Sequence, residues 1–190
     1  MKLFHCGAIV LLLGAALLMQ SSARAADTVS VGTVGSASAN LWPVYVGIKK
    51  GFFDAANVKV DIVYVQSSAN LVQQLAAGSL DICMSTGLVD PIRAIDQNAG
   101  ISIVRFEAQA PPYALIGKAS IKKPEELKGK VISVGGPKDI TRIYVERMLA
   151  PHGIKPGEFD MVFAGATSAR AQALLGGAVD AAILLPPFNF

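Results

Sequence analysis

Residues 58–87 read VKVDIVYVQSSANLVQQLAAGSLDICMSTG, and the fold is decided in this stretch. Val58–Val65 is a run rich in β-branched residues and has strand character. The turn Gln66-Ser67-Ser68-Ala69-Asn70 leads into a short helical segment over Leu71–Ala77, and Gly78 ends it as glycine commonly ends helices. Leu80–Met84 then reads as a buried strand, followed by the small polar turn Ser85-Thr86-Gly87. A strand, a helical crossover and a second strand form the unit that builds parallel sheets.

The same rhythm extends in both directions. Upstream, Val29–Val34 (VSVGTV) is a strand and a helix is expected from about Leu41 to Phe53. Downstream, a helix over Asp90–Asn98 is closed by Gly100, and Ile101–Phe106 and Tyr113–Ile116 are two further apolar runs. Pro111-Pro112 and the charged stretch Ala119–Lys130 interrupt the alternation, which places a lobe boundary there. It then restarts: Lys130–Val134 is a strand, Ile140–Leu149 a helix, Asp160–Phe163 a strand, Ser168–Leu175 a helix and Asp180–Leu185 a strand. Val34-Gly35-Ser36 aligns with Val134-Gly135-Gly136, and Leu75-Ala76-Ala77-Gly78-Ser79-Leu80-Asp81 with Leu174-Leu175-Gly176-Gly177-Ala178-Val179-Asp180, at nearly equal offsets. The expected architecture is α/β, with two β-α-β lobes, a parallel sheet covered on both faces, and a cleft between the lobes. The expected divisions are 1–25, 26–117 and 118–190.

The segment 1–25 has the layout of a secretory signal peptide. Lys2 provides a positive start, Gly7–Met19 an uninterrupted apolar run, and Ala23-Arg24-Ala25 a small-x-small cleavage site. The run is shorter than the ~20 residues of a membrane span. Cleavage near Ala25 and a periplasmic location follow as expectations. Lys2 and Arg24 carry two of the three net positive charges, so the remainder is nearly neutral. No basic block tracks a phosphate backbone, and nucleic-acid binding has nothing to rest on. After removal of Cys6 with the leader, Cys83 is a single thiol in an apolar segment. His5 and His152 stand far apart, and neither a metal site nor a cofactor is expected.

In a parallel sheet the strand-to-helix turns share one edge. Here those turns are hydroxyl-rich: residues 36–40 with Ser36 and Ser38, residues 66–70 with Ser67 and Ser68, Ser85-Thr86-Gly87, residues 136–141 with Asp139, Ile140 and Thr141, and residues 165–168 with Thr167 and Ser168. Each sets hydroxyls and backbone N–H groups at a helix start, where negative charge is favoured. A rim of this kind suits a carboxylate, sulfonate, phosphate or polar heterocycle. Taken singly, each turn is equally a set of ordinary helix caps. Asp139 either caps its helix or accepts from a cationic group of a ligand. Trp42 either stacks on a solute or anchors its helix. Tyr113, Tyr144 and Phe188 are weaker candidates. Lys138, Arg142 and Arg170 either neutralise an anion or are exposed helix residues, the commoner outcome for such side chains. Asp81 and Asp180 fall on the opposite sheet edge and are structural. The glycine turns match neither nucleotide-binding pattern, and no histidine is available to activate Ser36 or Ser85, so no catalytic residue is assigned.

These residues carry a family resemblance. The opening Val44-Tyr45-Val46-Gly47-Ile48-Lys49-Lys50-Gly51-Phe52-Phe53, then Leu75–Ile82, then Pro124-Glu125-Glu126-Leu127-Lys128-Gly129-Lys130-Val131-Ile132-Ser133-Val134, then Gly176–Ala182, resemble the SsuA/THI5-like (NMT1-like) solute-binding proteins in order. The resemblance implies a type II periplasmic-binding-protein fold that closes on a small-molecule solute and delivers it to an ABC transporter permease in the inner membrane, acting as a monomer. It implies sulfonate, taurine, nitrate, bicarbonate or pyrimidine ligands. By position, it puts ligand contacts at Ser36, Ser38, Ser67, Ser68, Ser85 to Gly87, Asp139 to Thr141, Thr167 and Ser168. Leu185-Pro186-Pro187-Phe188 stands where the family often carries Trp-x-Pro, so an aromatic contact is not expected there. Family chains are longer, and the sequence ends just after a second-lobe strand, so the expectation is a truncated product with an incomplete second lobe. Two other readings are an enzyme related to the THI5-like pyrimidine synthases, whose cysteine cluster this chain lacks, and a sensor or partner-binding module that no longer serves transport.

Overall fold

The computed structural model describes residues 25–84, 86–108, 110 and 112–190. All of the expected leader but Ala25, together with the candidate Ser85, lies outside them. The first lobe comprises β1 (Asp27–Val34), a 3-10 turn (Ala39–Leu41), α1 (Trp42–Lys49), α2 (Phe52–Ala55), β2 (Val58–Val65), α3 (Ser68–Ala76), β3 (Ile82–Met84) and α4 (Val89–Asp96). The second comprises β4 (Ala114–Gly117), β5 (Val131–Val134), α5 (Ile140–Leu149), β6 (Asp160–Phe163), α6 (Thr167–Leu175) and β7 (Ala181–Leu184), with 3-10 turns at Pro124–Leu127 and Ala150–His152. The helix expected from Leu41 to Phe53 is broken. Gly51 sits in the left-handed region at φ 71°, which ends α1 and restarts the chain as α2.

The strands form two sheets, ordered β2-β1-β3 and β4-β7-β5-β6. The first is parallel throughout, with Val31 opposite both Ile62 and Ile82. The second is mixed. The boundary expected after residue 117 assigns Ala114–Gly117 to the first lobe, but β4 pairs antiparallel with β7, Ala114 opposite Leu184. The reason lies in its side chains. Leu115 packs on one core cluster of the second lobe and Ile116 on the other, so both faces of this short strand find apolar cover there. The apolar run Ile101–Phe106 is not a strand; residues 102–108 are exposed and irregular.

The second-lobe core is the larger. Ile132, Val134, Val145, Leu149, Ile154, Phe159 and Ile183 are buried together between sheet and α5. Across the sheet, Ala171, Ala182 and Leu184 pack with Leu174 and Phe188. In the first lobe Leu71 and Leu80 close over Gly32, leaving no room for a larger residue there: a Cβ on Gly32 would lie 2.4 Å from Leu80 Cδ1. The opposite face of that sheet is covered only in part, with Tyr64 48% and Ile82 45% exposed.

The two lobes repeat one fastening at the edge away from the cleft. Asp81 Oδ2 accepts from the Ser30 N–H at 2.8 Å while the Asp81 N–H donates to the Ser30 carbonyl. Asp180 Oδ2 accepts from the Val131 N–H at 3.0 Å while the Asp180 N–H donates to the Val131 carbonyl. Both aspartates tie a helix-to-strand turn to a central strand, the structural role expected of them. Lys118 adds an ion pair to Asp180 at 2.9 Å. The Val131 N–H and Lys118 hold the Asp180 carboxyl below its ordinary value. A depressed folded-state value contributes stability that is present above the unfolded value near ~3.9 and is lost as pH falls through the lower folded value. The variant Asp180→Asn is therefore expected to melt slightly lower than the parent at pH 7 and to show a flatter fall in melting temperature between about pH 4 and pH 2. Parallel acid-dependent melts of the two proteins would contradict this.

Candidate functional site

The C-terminal strand ends of both sheets face one another across a cleft lined by residues of both lobes, among them Val34, Ser38, Ser68 and Gly87 from the first and Tyr113, Asp139, Thr167, Arg170 and Leu185 from the second. Val34 ends β1, while Gly135 and Leu185 follow β5 and β7. Tyr113 reaches the same edge for a topological reason. It precedes β4, and because β4 runs antiparallel to β7, its N-terminal end lies beside the C-terminal end of β7.

Hydroxyl by hydroxyl, capping and availability separate. Ser67 caps α3 by accepting from the Asn70 N–H at 3.2 Å. Asp139 caps α5: its Oδ1 accepts from the Thr141 N–H at 2.9 Å and from the Thr141 hydroxyl at 2.5 Å. That hydroxyl also accepts from the Gly135 N–H at 2.8 Å. Thr167 accepts from the Leu185 N–H at 3.1 Å. Ser68 is buried and shares a 2.5 Å hydrogen bond with Thr86, which also lies 3.3 Å from the Gly87 carbonyl. If Thr86 donates to Ser68, the Ser68 proton is free to point elsewhere. Ser38 differs from all of these. It is 4% exposed, makes no capping hydrogen bond, and its Oγ has no partner. A buried hydroxyl left unpaired costs about 1–3 kcal/mol.

Arg170 supplies the charge. It leaves α6 toward the second sheet, is 4% exposed, and lines the cleft. Its Nε donates to the Ile183 carbonyl at 2.7 Å and its Nη1 to the Gly165 carbonyl. A guanidinium has five N–H donors, and the others have no acceptor among the described residues. Nor does any carboxylate there lie within ion-pair distance of it. Burial pulls its pKa below the ordinary arginine value, against the opposing influence of Tyr113 and Asp139. Burial pushes the Tyr113 phenol up to about 12, so it stands in the cleft as a neutral donor. Tyr144 packs beside it with the rings tilted by 47° and 5.4 Å between ring centres.

Of the residues expected to form the site, Ser38, Ser67, Ser68, Gly87, Asp139, Ile140, Thr141 and Thr167 line this cleft, and Thr86 touches it through Ser68. Ser36, Trp42 and Ser168 do not. Ser36 is exposed and its carbonyl accepts from the Tyr45 hydroxyl at 2.9 Å. Trp42 is 53% exposed at the start of α1. Ser168 lies by the lobe contact at Gly35. Arg170, for which the sequence left an anion contact and an exposed helix position as alternatives, is buried. Its signal was in the spacing, since Thr167, Arg170, Ala171 and Leu174 share one face of a helix.

The lobes meet at residues too small to keep them apart. A Cβ on Gly165 would lie 2.6 Å from the Gln66 carbonyl oxygen, and one on Gly87 would lie 2.8 Å from Ile140 Cγ2. Gly35 sits against Ala166. Among the described residues, two hydrogen bonds cross the gap, from the Ala39 N–H to the Pro186 carbonyl at 3.0 Å and from Arg93 Nη1 to the Lys138 carbonyl at 3.1 Å.

The family profile described as NMT1/THI5 like matches residues 38–188. No curated protein matches the chain by sequence. Among solved structures, a protein from Bordetella bronchiseptica RB50 superposes with a TM-score of 0.68 at 24% identity, over 85% of this chain and 52% of its own. The alkanesulfonate-binding protein SsuA from Xanthomonas axonopodis pv. citri, bound to MOPS, gives 0.62 at 20% identity over 85% and 55%. PhnD1 from Prochlorococcus marinus, in complex with methylphosphonate, gives 0.57 at 16% identity over 84% and 64%. The first two cover the chain's fold as a type II periplasmic-binding-protein architecture, of which it spans about half the length.

Proposed function

The chain belongs to the NMT1/THI5-like family, and from that premise we propose that it is a periplasmic solute-binding component of an ABC uptake system that holds a small anionic solute between its lobes. The observation that carries this reading is Arg170. Arg170 is buried with no carboxylate within ion-pair distance among the described residues, an arrangement that costs several kcal/mol of desolvation, and it lines the cleft with open N–H donors beside a neutral phenol and the unpaired Ser38 hydroxyl. A bound oxyanion would satisfy all three. The names of the solved relatives, one an alkanesulfonate-binding protein and one holding methylphosphonate, point to the same ligand chemistry. The site residues of this reading are Ser38, Ser68, Tyr113, Thr167 and Arg170, and no step of bond making or breaking is assigned to them.

A thermal-shift screen against short sulfonates, phosphonates, nitrate, carboxylates and pyrimidines tests the proposal. Stabilisation by at least one anion class is the expected result, growing with ligand concentration as binding to the folded state requires. The variant Ser38→Ala separates ligand binding from helix capping. Because Ser38 caps nothing, its loss should leave the melting temperature of the free protein unchanged or slightly raised. Its affinity for the anion should fall about tenfold, the worth of one hydrogen bond to a charged group. A fall in stability with unchanged affinity would return Ser38 to a structural role, and no response to any solute would end the receptor reading.

A further inference from the structure

We infer that the solute carries a hydrogen-bond donor beside its anionic group, and that Asp139 selects for it. This deepens the anion-binding reading above and rests on it. Arg170 is not the only charged group lining the cleft: Asp139 lines it as well, and its charge bears on both Arg170 and Tyr113. The two hydrogen bonds that Asp139 accepts both end on Oδ1, from the N–H and the hydroxyl of Thr141. No hydrogen bond to Oδ2 exists among the described residues. Its pairing with Thr141 and its packing over Gly135, where a Cβ would lie 2.8 Å from Asp139 Cγ, fix the carboxylate in place. The independent sign that this region faces a ligand is the buried, unpartnered Ser38 Oγ in the same lining.

The lining therefore presents one positive and one negative group to whatever enters. A solute with only acceptor oxygens gains from Arg170 but meets the Asp139 carboxylate as a like charge with no proton between them. An ammonium, amide or hydroxyl hydrogen on the solute turns that repulsion into a charge-assisted hydrogen bond. A polar site left without its partner rejects the ligand that lacks the group more strongly than it rejects a change of size. The ligand class is thus an anion with an adjacent donor, of which amino-sulfonates, amino-carboxylates and singly protonated phosphonates are examples.

The test uses two pairs matched in size: 2-aminoethanesulfonate with ethanesulfonate, and 3-aminopropanoate with propanoate. Each is titrated calorimetrically into the purified protein and into Asp139→Asn. Asparagine is an equally good N-cap, so the variant keeps α5 and its far-ultraviolet circular dichroism melt checks that it is folded. In whichever pair binds, the amino partner should bind at least about tenfold more tightly to the parent. In the variant, the donorless partner should gain affinity and the ratio should shrink to a few-fold. Equal binding within the pair, or an unchanged ratio in the variant, overturns the inference while leaving anion binding intact. Absence of binding by all four compounds overturns both this inference and the reading beneath it.

Discussion

Replacing Arg170 by glutamine should remove anion binding, with a loss of affinity of about a hundredfold or more. Losing one partner of a buried charge pair costs about 2–5 kcal/mol in complexes, and among the described residues no other cation lines this cleft to compensate. The free protein should respond differently. The substitution deletes the bonds to the Ile183 and Gly165 carbonyls, which destabilises it. It also removes a buried charge whose burial is unfavourable, as the lowered pKa records. These effects oppose one another, so the melting temperature without ligand should move far less than the affinity. A structural arginine would give the reverse, with a large loss of stability in ligand-free protein and binding that survives in the folded fraction. Calorimetric titration beside a thermal melt distinguishes the two.

The second large effect is expected at the seam between the lobes. Gly165 has φ 69°, so alanine there carries left-handed strain of about 1–2 kcal/mol. Its Cβ would also lie 2.6 Å from the Gln66 carbonyl oxygen, a backbone atom that cannot step aside as a side chain can. The lobes must part to admit it, and Gly165 also carries the carbonyl to which Arg170 donates. Gly165→Ala should therefore lower ligand affinity at least about tenfold, since small misplacements of site groups are costly. Gly177 provides the control. Its φ of 77° is just as left-handed, but a Cβ there meets nothing within 4 Å. Gly177→Ala should lose a similar amount of stability and keep full affinity. Equal affinities for the two variants, measured in the same titration, would mean that contact at the seam has no bearing on binding.

Much of the fold was legible because strand and helix periodicity are local. Val58–Val65, Ile140–Leu149 and Asp160–Phe163 appear at the residues where pattern reading puts them. The aspartates that repeat near one hundred residues apart do the same fastening in each lobe. What the pattern missed depends on pairing between distant segments. Nothing within Ala114–Gly117 says that it will run antiparallel beside β7, and that single pairing carries Tyr113 to the cleft. The burial of Arg170 was hard to read for another reason. A charged residue on a helix is usually solvated, and only the shared face with Thr167 and Ala171 marks it as inward. The hydroxyl-rich turns were visible as a group, but which hydroxyl is already engaged is a matter of hydrogen-bond geometry. Ser67 and Asp139 cap α-helices, whereas Ser38, at the start of a 3-10 turn, makes no capping hydrogen bond.

Anion binding through Arg170 is tested most directly by a calorimetric titration of the purified protein with 2-aminoethanesulfonate, run beside Arg170→Gln. Saturable binding at one site per chain is expected in the parent, and none in the variant over the same concentration range. Binding that is equal in both proteins, or absent from the parent for this and every other small anion, would contradict it.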